Sequence, residues 1–178
     1  MIKNTENSYG LPAKLLHWVM SVVIICLIFV GFIMTEMEPS DQKWQIYGLH
    51  KATGLLILLL VAIRLTWRLM NVYVLPPHDL PDWQKKAAYL AHLMLYLFML
   101  IMPASGFLMT VLGGHNVSFY GLFTIEAFTT NKPIATIFWM IHGYSAYIFA
   151  ALIGLHIAAA FYHHFVRRDN VFMRMLRG

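Results

Sequence analysis

Residues 133–168 read PIATIFWMIHGYSAYIFAALIGLHIAAAFYHHFVRR. No Asp, Glu, Lys or Arg falls between Pro133 and Val166. The run exceeds the roughly 20 residues that a helix needs to cross a bilayer. His142 and His156 stand fourteen residues apart in it. In a helix rising 1.5 Å per residue they are about 21 Å apart along the axis and roughly 40° apart around it. One face of a single helix therefore carries two imidazoles, one near each edge of a membrane, and the rest of the chain is read outward from this helix.

The other runs have the same character. Of 178 residues, 60% are hydrophobic and 12% charged, against about 45–50% and 25% in soluble domains. The composition is that of a membrane protein. The apolar runs predict helices over 14–35, 47–70, 87–112 and 136–166, so the fold class is an all-α membrane protein, one four-helix transmembrane bundle spanning 1–178. The first run is too long for a cleavable signal and no small-residue cleavage site follows it. A lone Cys26 excludes an intrachain disulfide and a cysteine-ligated iron–sulfur or zinc site. Chemistry must come from histidine, a bound cofactor, or both.

The net charge of +5 is accounted for by topology, and no nucleic-acid partner is expected. With four spans, ten basic residues fall on the side of the N-terminus and three (Lys43, Lys51 and Lys132) on the other. Positive charge in short loops marks the cytoplasmic side, which places both termini in the cytoplasm. Val117–Ile125, on the outer side, is apolar and aromatic enough to lie at the interface or cap the bundle.

That topology assigns depths. His17 and His156 fall in the cytoplasmic half, His50 and His142 in the outer half, so each level pairs the fourth helix with a different partner. Imidazole is a common axial ligand of b-type haem, and a neutral ligand suits a site in lipid better than a charged one. Glycines follow the same spacing: Gly31 is fourteen after His17, Gly106 is fourteen after His92, and Gly54, Gly143 and Gly154 neighbour the histidines. Missing side chains would let a macrocycle approach the backbone, though glycine also mediates plain helix contacts. Interhelical hydrogen bonding or headgroup contact is the bland alternative for each histidine. A His-lined metal or proton transporter is the alternative for the set.

His92 lies at the level of His17 and His156, suited to hydrogen-bond a haem propionate or a neighbouring helix. Arg64, fourteen after His50, needs a counter-ion at its depth, which a propionate would supply. His163 and His164 sit beyond His156, placed for a quinone carbonyl and its proton, or for a lipid headgroup.

The motifs Leu16-His17-Trp18, Gly48-Leu49-His50-Lys51, Ile63-Arg64-Leu65-Thr66-Trp67-Arg68, Leu90-Ala91-His92 and Gly154-Leu155-His156 occur in order along the chain. Tyr162-His163-His164 and Asp169-Asn170 follow. As a set they resemble the bacterial cytochrome b561 family, in the superfamily of nickel–iron hydrogenase cytochrome b subunits. The resemblance implies two b haems, with iron held by His17 with His156 and by His50 with His142. It also implies a ubiquinone-pool partner and electron transfer across a bacterial inner membrane. One branch of the family implies superoxide oxidation at the outer face, where Lys51 and Lys132 would attract a small anion. Other branches imply a protein electron donor, or a haem-bearing anchor for a periplasmic enzyme.

Overall fold

The computed structural model describes residues 1–177. Four long helices dominate it: α1 (Leu11–Glu36), α2 (Asp41–Leu69), α3 (Asp82–Leu112) and α4 (Lys132–Phe161). All four are long and apolar enough to cross a membrane. A two-stranded hairpin, β1 (Val117–Phe119) and β2 (Phe123–Ile125), separates α3 from α4. A π-helical turn, Tyr162–Arg167, continues α4, and a short α5 (Val171–Leu176) ends the described chain.

Each long helix starts earlier than its apolar run, and in α1, α2 and α4 prolines or side-chain caps account for it. Pro12 stands in the first turn of α1 and Pro133 in that of α4, where a missing N–H costs nothing. Ser40 caps α2 by accepting from the Lys43 amide at 3.2 Å, and Asn131 caps α4 through the Ile134 amide at 3.2 Å. These caps satisfy amide groups that the first helical turn leaves without partners. So α2 takes in Asp41–Ile46, which the apolar run alone leaves outside the helix.

The helices pack as neighbours in the order α1, α2, α3, α4, with α3 against α4 the most extensive contact. Ring closure is incomplete: α1 and α4 touch only sparingly, and α2 faces α4 across the bundle. The buried core is a plug of Met20, Ile24, Ile57, Val61, Met99 and Phe149. Much of the remaining apolar surface is outward, including Val22, Phe29, Leu59 and Ile148. Water would not tolerate so large an apolar surface, but acyl chains would.

The core shares a register with the polar positions. Ile24 lies seven residues after His17 and seven before Gly31, and Ile57 midway between His50 and Arg64. Met99 is midway between His92 and Gly106, and Phe149 between His142 and His156. Seven residues are close to two helical turns. On all four helices the plug therefore occupies the middle of one face, with a chemistry-bearing level about 10 Å to either side.

At the end carrying both termini, residues 1–10 are strapped across the 70–81 loop. The Leu75 amide donates to Glu6 O at 2.8 Å, and Asn4 Oδ1 accepts from the Gly10 amide at 2.8 Å. The tail is thus bound, although its sequence carries no apolar period. At the opposite end the hairpin is tied to α2 by Tyr120 and Thr53 hydroxyls 2.8 Å apart.

Candidate functional site

At the hairpin end, His50 of α2 and His142 of α4 face each other with ring centroids 6.3 Å apart and planes at 83°. Two glycines lie against them, Gly106 too closely for a side chain and Gly31 at near-ordinary contact. A Cβ added to Gly106 would stand 2.9 Å from His142 Cε1, and one on Gly31 would stand 3.4 Å from His50 Cε1. Their role is closer than sequence reading gives it, since they back the imidazoles themselves. Gly54, Gly143 and Gly154 have open space where a Cβ would project.

His142 is held through Nδ1, which donates to the Met102 carbonyl at 2.9 Å, with Ser105 Oγ at 3.4 Å. A proton on Nδ1 leaves Nε2 with its lone pair, the tautomer a metal-bound imidazole adopts. His50 Nδ1 is buried without a hydrogen-bond partner, and a buried polar atom in that condition calls for one. Gly54, Leu55 and Phe107 join the two histidines in lining a cavity, with Lys51 at its wall.

At the end carrying the termini, His17 of α1 and His156 of α4 stand 6.2 Å apart between centroids, planes at 72°. His92 of α3 lies 5.6 Å from His156. Arg64 of α2 completes the level, its Nη2 3.1 Å from His17 Nδ1 and its guanidinium 5.7 Å from the Tyr96 ring centroid. All four helices therefore contribute one polar side chain here. A guanidinium only donates, so His17 Nδ1 accepts from Arg64 in this arrangement.

The pairs fit a bis-imidazole metal centre in spacing. With a metal–nitrogen bond of about 2 Å and roughly 1.1 Å from nitrogen to ring centre, two rings on opposite sides of one metal have centroids roughly 6.3 Å apart. The observed separations match that at both levels. Both pairs also bridge helices that pack poorly on each other, α1 with α4 and α2 with α4, where space for a flat macrocycle would be needed. Among the described residues no three His, Cys, Asp or Glu side chains converge as in a metal-ion chelate.

A family model described as prokaryotic cytochrome b561 matches residues 8–178. The chain belongs to this family. Cytochrome b561 homolog 1 of Escherichia coli (strain K12) is 33% identical over 96% of this chain and 97% of its own length. Cytochrome b561 homolog 2 of the same organism is 28% identical over 97% of this chain and 93% of its own. A Yersinia pestis protein named probable superoxide oxidase CybB is 27% identical, covering 90% of this chain and 91% of its own length. This cytochrome b561 is thus a bacterial membrane protein that binds b-type haem and serves electron transfer.

Of the remaining predicted positions, His163 and His164 lie together in the π-helical turn but in different surroundings. His163 Nδ1 is 2.6 Å from Asp169 Oδ2. His164 packs on Phe165 and Phe172, at 4.7 and 5.2 Å between centroids. Asp169 also accepts from Arg167 Nε at 3.3 Å and from the Val171 amide at 3.0 Å. Burial raises its pKa, but these hydrogen bonds outweigh that and hold it below the usual carboxylate value. Sequence reading gave Asp169 no role. Its partner is set by Arg168, whose left-handed φ of 58° turns the chain back on itself.

Proposed function

We propose that this cytochrome holds two b haems, one between His50 and His142 and one between His17 and His156, and passes electrons from an outer-face donor to the quinone pool. The observation that carries this reading is the pair of imidazole–imidazole separations, 6.3 and 6.2 Å, repeated at two levels of α4. In this reading both termini are cytoplasmic and the protein lies in the inner membrane, as its basic residues at that end favour.

Bound haem supplies reversible one-electron exchange at iron. The protein's own residues set the conditions. The Met102 carbonyl fixes the tautomer and orientation of His142, and the apolar plug keeps water and counter-charges from the space between the levels. At the inner level His17 would hold a haem iron through Nε2 only with a proton on Nδ1, the atom that here accepts from Arg64, so Arg64 would be released to pair with a propionate. His92 is placed to donate to the same group.

The donor class is a small anion or a redox protein at the hairpin end. The Yersinia relative's name, and Lys51 beside His50, favour superoxide as that anion. Two superoxide ions each give up one electron and leave as dioxygen. One ubiquinone takes both electrons and two protons to become the quinol. His163 and His164 lie at the end where that proton uptake belongs.

The test is a single-histidine series read by optical redox titration. His50→Ala or His142→Ala should abolish one haem and leave the other, and His17→Ala or His156→Ala should do the converse. Equal loss of both haems from all four variants, with the protein still folded, contradicts the pairing.

A further inference from the structure

We propose that Asp169 is a positioning residue for His163, holding its imidazole proton on Nδ1 so that Nε2 is the atom that delivers a proton to quinone. This rests on the reading that quinone is reduced at the end carrying the termini. An ionised carboxylate can only accept a hydrogen bond, so in the 2.6 Å contact the ring nitrogen must donate. The contact is sheltered: the His163 side chain is 16% exposed and that of Asp169 13%. The carboxyl is fixed from three directions, by His163, by Arg167 Nε and by the Val171 amide. Its depressed pKa keeps it ionised at neutral pH.

The charged groups around the pair complete the arrangement. Arg167 of the π-helical turn reaches past Asp169 to Asp79 of the 70–81 loop, at 2.9 Å. Arg174 of α5 lines the same open cleft as Asp169, Asp79 and His78, which gives water access. A carboxylate that accepts from Nδ1 fixes which nitrogen keeps its proton afterwards. In the transfer the Nε2–H bond breaks and an O–H bond forms on the quinone oxygen. The two electrons come from the donor by way of the protein. The ring is left neutral with its proton on Nδ1 and regains the other from water, so that a second delivery completes the quinol. His164, packed against two phenylalanines, has no such partner among the described residues, so the structure separates two neighbours that look alike in sequence.

The experiment uses the haem-loaded full chain in nanodiscs, with a water-soluble ubiquinone analogue as oxidant of the dithionite-reduced protein. Asp169→Asn should slow haem reoxidation by at least tenfold while leaving the haem content and reduced spectrum unchanged, a part of the ~10²–10⁴-fold that a positioned proton-transfer group contributes. In a His163→Gln background Asp169→Asn should have no further effect. An unchanged rate, or an equal loss in both backgrounds, overturns the proposal. Nitrogen-15 spectra of the wild type, with His163 assigned by its loss in His163→Gln, give a second readout that needs no Asp169 variant. The neutral ring should carry its proton on Nδ1, and a proton on Nε2 overturns the proposal. If the wild-type protein itself fails to reduce the analogue, the quinone reading falls and this inference falls with it. A wild type that reacts while Asp169→Asn matches it refutes the inference alone.

Discussion

Gly106→Ala is expected to empty the outer haem site and spare the inner one. The added methyl would lie 2.9 Å from His142 Cε1 and 3.1 Å from Nδ1. Carbon atoms rest at about 3.5 Å or more, so ring or helix must give by roughly 0.6 Å. Metal sites tolerate about 0.2 Å in ligand distances. The ring has little freedom, since Nδ1 is bound to the Met102 carbonyl at 2.9 Å on the same helix as the glycine. Overpacking of this kind costs about 1–3 kcal/mol, which weakens haem binding by roughly 5- to 150-fold. Alanine also favours the helix by about 1 kcal/mol over glycine. That gain is shared by the loaded and empty forms, so it raises fold stability without restoring the site. Gly31→Ala is the matched control, because its methyl would meet His50 Cε1 at 3.4 Å, close to ordinary contact. Pyridine haemochrome assay of the purified variants reads the result. Full haem content in Gly106→Ala would refute the reasoning.

Three further outcomes follow from the same geometry. Arg64→Gln should lower the midpoint potential of the inner haem, since removing a nearby cation takes away on the order of 2 kcal/mol before screening, hence tens of millivolts in a redox titration. Tyr120→Phe removes its hydroxyl contact with Thr53 and should weaken the hairpin by about 0.5–1 kcal/mol, seen as faster amide exchange across 117–125 with haem content unchanged. Asp169 has a folded pKa below its ordinary value, so its contribution to stability is complete above that ordinary value and is lost as pH falls through the folded one. Amide protection over 163–176 should therefore fall below about pH 4, and Asp169→Asn should remove that acid-side fall.

The helices and the two levels of histidine were legible because membrane spans announce themselves by length, and because fourteen residues nearly close four turns. Depth follows from counting along an axis, so His142 and His156 could be matched to His50 and His17 before any packing was known. Helix starts were less legible. Hydropathy stops where apolar residues stop, but caps at Ser40 and Asn131 and prolines at 12 and 133 carry the helices further. The hairpin was missed as structure because each strand has three residues. Its signal is local: Tyr120 and Gly121 both take positive φ, 50° and 77°, between Val117-Ser-Phe and Phe-Thr-Ile. The π-helical turn left no mark in the 3.6-residue period, and so the separation of His163 from His164 was invisible. In the sequence Asp169 shows only as part of a motif, since the left-handed Arg168 that brings it back to His163 has no glycine to advertise it.

The most direct measurement is the ratio of haem to polypeptide in the purified, fully loaded protein, taken with a dithionite-reduced spectrum. Two b haems per chain, both six-coordinate and low-spin, are expected. A single haem per chain, or a colourless preparation, would contradict the pairing of four imidazoles at two levels.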